Sequence, residues 1–137
     1  MPRLRSLALA LGLSSGLAAG GASAEAVDWK AHEAVGTVVI VTTDQDGAAR
    51  DTTIWLCVLD GQGYVRGGSG QWVANSLRDG DVKLRVGDRE LALHAEKLTD
   101  AALIERVTAA YREKYGFSDV LATLVRGEPT IFRLTPR

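Results

Sequence analysis

The chain has one cysteine and two histidines in 137 residues, and it lacks an excess of positive charge, with 16 basic against 17 acidic side chains. Each scarcity removes a class of explanation. Cys57 alone cannot form an intrachain disulfide, and its place inside an apolar stretch reads as a small buried hydrophobe rather than a reactive thiol. His32 and His94 are far apart, with no cysteine or carboxylate at ligand spacing beside either, so no metal site is expected. Nucleic-acid binding relies on clustered Lys and Arg facing phosphates, and a formal net charge of −1 offers no such cluster. No run of like charge suggests an interaction tail. Neither Ser69 nor Ser76 stands in the G-x-S-x-G setting of a hydrolase elbow, and no catalytic residue is identifiable.

A membrane-spanning run is missing too. Leu7 to Leu17 is apolar but short and diluted by small residues, against the roughly 20 apolar residues that a span requires. It follows Arg3 and Arg5 and precedes Ala22-Ser23-Ala24, a small-x-small cleavage site, and the three features together describe a secretory signal peptide over residues 1–24. Export, to a periplasm if the source has two membranes, is the expected destination. Residues 25–137 then suffice for one small domain with one core. Losing Arg3 and Arg5 tips the remaining charge further to the acidic side.

What is present is mostly strand. Glu25 to Val35 reads as a weakly structured lead-in containing Trp29 and His32. Gly36 to Thr43, GTVVIVTT, is rich in β-branched residues and ends at the turn signal Asp46-Gly47. The next strand, Ala49 to Leu59, is apolar on both parities, with Ile54, Leu56 and Val58 on one face and Trp55, Cys57 and Leu59 on the other. A strand half exposed to water would alternate, so this one is expected to be covered on both faces. Asp60 to Gly63 closes a second hairpin onto Tyr64-Val65-Arg66. After Gly67-Gly68-Ser69-Gly70, a helix of about two turns is expected over Gln71 to Arg78. Val82 to Val86 and Glu90 to Leu98 form a third hairpin. Thr99 or Asp100 caps a helix with the stripe Leu103, Ile104, Val107, Tyr111 and Tyr115, which Gly116 ends. Ser118 caps a shorter helix to Arg126, with Val120, Leu121, Leu124 and Val125 inward and Gly127 as terminator. Thr130 to Leu134 is the last strand. Hairpins with late helices argue for a mainly β architecture with α covers, an antiparallel barrel or sheet rather than a βαβ fold.

The glycine-rich loop is the best place for chemistry. A loop that leaves a strand and enters a helix gathers unpaired backbone N–H groups beside the helix's positive end, which suits a phosphate or carboxylate. Arg66 adds a cation and Ser69 a hydroxyl donor. GGSG has neither the Walker spacing nor the dinucleotide fingerprint, so a plain connection remains open as the alternative.

In their order and spacing, DGAARDTTIW, GYVRGGSGQWVANSL and VKLRVGDRELALHAEKLTDAALIERVTAAYREKYG resemble the flavin-binding split β-barrel superfamily, which includes pyridoxamine 5'-phosphate oxidases and deazaflavin-dependent nitroreductases. The resemblance covers roughly residues 38–137 and is strongest to a small branch without an assigned function. It implies an antiparallel split β-barrel of five to six strands with two or three covering helices, and a homodimer with FMN or deazaflavin in a cleft between subunits. It implies further that Arg50, Thr52, Thr53 and Trp55 line the ring end of that cleft, and Arg66, Ser69, Gln71, Trp72 and Asn75 the phosphate end. The protein would then be an exported oxidoreductase acting on a small molecule, orienting a cofactor that performs the hydride transfer. The second reading, from a different class, is a non-catalytic split-barrel binding module that uses the cleft for haem, another ligand or none.

Overall fold

Alternation along each strand decides which side chains meet inside. In β1 (Thr37–Thr43), Val38, Ile40 and Thr42 are buried; in β4 (Asp81–Val86), Val82, Leu84 and Val86 are, and the residues between them face outward. β2 (Ala49–Leu59), β3 (Gln62–Gly67), β5 (Arg89–Lys97) and β6 (Thr130–Pro136) complete the sheet. The computed structural model describes residues 26–126 and 128–137, so the expected signal peptide and Gly127 lie outside the described residues. Within them the six strands, all antiparallel, close in the order β1-β2-β3-β6-β5-β4.

The interior is one apolar cluster in which Ile40, Leu56, Val65, Leu84, Leu93 and Leu134 have no accessible surface. Its two ends are stoppered by tryptophans. Helix α1 (Gln71–Arg78) lays Trp72 and Val73 over one end, where the Trp72 ring sits 5.7 Å from Phe132. The other end is closed from the lead-in. Trp29, in a 3-10 turn over Trp29–His32, is buried and joins the same cluster. That lead-in is therefore fixed rather than weakly structured, because one large ring anchors it. Both stoppers depend on glycine, since a Cβ on Gly67 would lie 2.5 Å from the Trp72 ring and one on Gly63 2.5 Å from the Trp29 ring.

A second layer covers β2 and β3 from outside. Helix α2 (Ala101–Tyr115) starts on Asp100, whose carboxylate accepts from the Ala102 N–H at 3.0 Å, and it buries Val107 and Tyr111 against Cys57, Tyr64 and Ile131. From Ile54 to Leu59, β2 is thus covered on both faces, as its double apolar pattern requires, while Ala49 to Asp51 and Thr53 are exposed. Helix α3 (Phe117–Arg126) begins one residue before its expected cap, so Ser118 lies within the first turn. Leu121, expected inward, is 47% exposed, and among the described side chains of α3 the fully buried one is Asp119. The side chains of Leu124 and Val125 lie outside the described residues. No described helix is long and apolar enough to cross a membrane.

Candidate functional site

β2 changes partners along its length. Its first part, Ala49 to Trp55, pairs with β1, while its last part, Leu56 to Leu59, pairs with β3. Past Val65, β3 continues beside β6. The sheet therefore forks at Trp55. The Leu56 N–H donates to the Gly36 carbonyl on the β1 side at 2.8 Å. Backbone groups alternate in direction along a strand, so those of Trp55, Thr53 and Asp51 turn toward the fork. On that side the β2 edge from Asp51 to Trp55 has no strand partner among the described residues, and Arg66 with the Gly67–Gly70 loop continues the other branch of the fork.

Helix α2 pins this fork with polar atoms. The Tyr111 hydroxyl lies 3.0 Å from the Trp55 carbonyl and 3.2 Å from that of Tyr64, one on each branch. Tyr115 places its hydroxyl 2.9 Å from the Gly36 carbonyl and also donates to that of Leu56, to which the Lys114 ammonium donates at 2.9 Å. The Tyr115 ring stacks on Trp55 at 4.4 Å between centroids and an interplanar angle of 9°. On the opposite lip the Arg66 guanidinium sits 4.0 Å over the Tyr111 ring and pairs with the buried Asp119 of α3. Burial lowers the pKa of Arg66 and pushes the Cys57 thiol up.

A separate polar cluster joins α1 to the end of β1. Asn75, without accessible surface, donates to Asp44 Oδ1 at 2.7 Å and to Thr42 Oγ1 at 3.1 Å, and it accepts from Gln71 at 3.0 Å and Arg78 at 3.2 Å. All four hydrogen-bonding positions of its amide are used. Arg50 Nε reaches the same Asp44 oxygen at 2.8 Å, and this bond, seconded by Asn75, holds the Asp44 carboxyl below its ordinary pKa.

The nine residues implied by the resemblance therefore fall into two groups. Arg50 and Asn75 meet at Asp44 and Gln71 joins them through Asn75, with Trp72 beneath them in the core and half-buried Thr52 on the adjoining strand. Trp55 and Arg66 meet in the outer layer through Tyr111 and Tyr115, and Thr53 is exposed on the same face of β2 as Trp55. Ser69 is exposed on the loop between the groups. Asp44, Lys114 and Asp119 bear on the site without a sequence signal. Asp44 looks like part of a turn, Lys114 lies on the apolar stripe three residues after Tyr111 but its charge reads as solvated, and Asp119 follows an obvious cap candidate. Tyr111 and Tyr115 read as core or interface residues, and they are core residues whose hydroxyls also do the pinning.

Burial raises the pKa of Tyr111 well above its ordinary value and that of Tyr115 to about 12. A phenol whose folded pKa exceeds the unfolded value contributes stability that is fully present below the unfolded pKa, ordinarily 10.0. That stability is lost as pH rises from there toward the folded value. The expected result is a loss of unfolding free energy between about pH 10 and pH 12, less steep in Tyr115→Phe. Denaturant titrations followed by tyrosinate absorbance check it, and an equal slope in the variant would remove Tyr115 from the account.

The residues as arranged do not complete a phosphate cradle. Arg66 is committed to Asp119, Arg50 to Asp44 and Gln71 to Asn75. Ser69 and the backbone N–H groups of its loop are the donors left at that lip. Among the described residues no histidine or accessible cysteine stands at the fork to ligate a haem: Cys57 is buried, His32 lies by Trp29, and His94 is on β5, diametrically across the barrel from β2. Among the described residues no cluster of His, Cys, Asp or Glu could hold a metal ion.

The closed six-stranded barrel with its forked strand and covering helices is a split β-barrel, a fold shared by proteins with diverse functions. It superposes on a conserved hypothetical protein, Rv2991, from Mycobacterium tuberculosis with a TM-score of 0.62, at 21% identity over 84% of each chain. It superposes on HutZ, the heme storage protein of Vibrio cholerae, with a TM-score of 0.62 at 17% identity, over 74% of this chain and 82% of that one. For a putative pyridoxamine 5'-phosphate oxidase of Listeria innocua the TM-score is 0.57 at 15% identity, over 79% of this chain and 86% of that one. At these identities the likeness concerns the fold. The chain itself belongs to the family described as an uncharacterized protein conserved in bacteria (DUF2255), which matches residues 30–133. No curated protein matches it.

Proposed function

We propose that the protein is a split-barrel binding module that takes a planar small molecule carrying an anionic group along the β2 edge of the fork. The observation that carries this reading is the fork itself, where the backbone groups of Thr53 and Asp51 have no strand partner on the side away from β1, beside the half-buried Trp55. A strand edge supplies paired donors and acceptors, and an indole supplies a stacking face. The polar side chains around the cleft are engaged in holding the fold, with Asn75, Tyr111 and Tyr115 bonded to strand or turn atoms. This arrangement favours binding over turnover.

An exported flavin- or deazaflavin-dependent oxidoreductase is the second reading, supported by the similarity in fold to the putative oxidase above. When bound, the flavin would supply the redox chemistry, and the chain would orient it. In either case residues 1–24 support export, so the ligand is met in the exported compartment. The half-buried Val39 and Val41, paired across from Thr53 and Asp51, give a second copy an apolar strip beside the cleft. Titrating the purified protein with flavin mononucleotide, a deazaflavin and haem, followed by absorbance, tests the reading. At least one is expected to bind at micromolar concentration; binding of none would overturn it.

A further inference from the structure

Between the lead-in and the start of β5 lies a cavity of about 460 Å³, with Val27, Ala31, Leu91 and Ala92 as its apolar lining. Val27 and Leu91 pack against the core cluster of the barrel, which fixes this lining from below. Buried Trp29 anchors the lead-in wall, its ring edge-on to His32 at 6.3 Å between centroids. The other wall belongs to β5, across the barrel from β2, and the cavity draws on no residue of the fork. Its volume lies in the range of small-molecule pockets.

The charged side chains around this cavity differ in what holds them. Glu90 pairs with Lys83 at 3.8 Å and Arg85 at 3.3 Å. Arg137 donates from Nε to the Leu93 carbonyl at 2.9 Å and from Nη2 to that of Val82 at 3.1 Å. Asp28 and Arg89 have no such ties. Asp28 stands at the N-cap of the 3-10 turn, where a carboxylate ordinarily accepts from the backbone, yet its side chain makes no cap bond. Among the described residues neither it nor Arg89 forms an ion pair or a side-chain hydrogen bond. They stand on opposite walls and do not pair with each other. One free carboxylate and one free guanidinium therefore border a single apolar cavity.

We infer that this cavity is a second binding site, for a zwitterion with an apolar body, the chemistry of an α-amino acid with an aliphatic side chain. The ligand's carboxylate is taken by Arg89, whose planar guanidinium matches two carboxylate oxygens. Its ammonium group goes to Asp28, and its side chain lies on Val27 and Leu91. A ligand of one sign alone would meet a like charge at Asp28 or at Arg89, which selects against simple anions and simple cations. The site stands apart from the fork and holds whether or not a flavin binds there.

L-leucine is the probe. Backbone amide chemical shifts are expected to move over residues 27–32 and 89–92 as it is added, saturating at millimolar concentration or below, with residues 51–55 unchanged. Leucinamide, which lacks the carboxylate, and isocaproate, which lacks the ammonium group, should each bind about fivefold more weakly, the upper worth of one exposed ion pair. Arg89 and Asp28 are exposed, so Arg89→Gln and Asp28→Asn are expected to fold. Arg89→Gln should weaken leucine and isocaproate by about fivefold and leave leucinamide unchanged. Asp28→Asn should do the same to leucine and leucinamide and leave isocaproate unchanged. No shift with leucine, or shifts away from the cavity, would overturn the site. Equal affinity of leucine and leucinamide for the wild type, or of leucine for the wild type and Arg89→Gln, would overturn it as well.

Discussion

Trp72→Ala is expected to lose about 3 to 5 kcal/mol of unfolding free energy, the range for removing a large aromatic side chain from a core. The side chain is 5% exposed and fills the end of the barrel between Gly67 and Phe132. Nothing near it can collapse into the space, because Gly67 contributes no side chain and Val73 is already packed in the same cluster. Small domains have roughly 5 to 15 kcal/mol in total, so the variant should be close to unfolding. Denaturant unfolding read by circular dichroism checks it. A loss below about 1 kcal/mol would show that Trp72 is not a stopper and would return it to the ligand-stacking role that the resemblance implies.

Tyr111 should give an effect of similar size, and it can be divided. Tyr111→Ala removes a fully buried ring that packs on Val107 and Arg66, with an expected cost of about 3 to 5 kcal/mol. Tyr111→Phe keeps the ring and removes only the hydroxyl between the Trp55 and Tyr64 carbonyls, so about 1 to 3 kcal/mol is expected from buried acceptors left without a donor. Because that hydroxyl bridges the two branches of the fork, Tyr111→Phe should also weaken ligand binding at the cleft. A stability loss with unchanged affinity would separate the fork from the site.

Local patterns made the elements legible. β2 announces its double burial through two apolar parities, and α2 shows both its cap and its stripe, because those signals are carried by residues close in sequence. Trp29 was not legible as a stopper, since its partner Gly63 is distant in the chain and a lone tryptophan in a polar lead-in has no periodicity. Asp119 was illegible for the same reason. Nothing local distinguishes a carboxylate on the first turn of a helix from one that reaches a buried arginine on another strand. The resemblance supplied nine site residues as one cleft, but the alternation of β3 sends Arg66 outward under α2 and Gly67 inward to Trp72, which divides them. The Asp44 cluster shows that several of the polar residues near the helix start anchor α1 to β1.

Where a ligand sits on the barrel decides between the fork and the rest of the surface. Backbone amide chemical shifts followed during titration with flavin mononucleotide locate it most directly. The fork predicts the largest changes over Asp51 to Trp55 and Arg66 to Gly70. Changes confined instead to the cavity of about 460 Å³ by the Trp29 end, lined by Val27, His32, Arg89, Leu91 and Arg137, would contradict it.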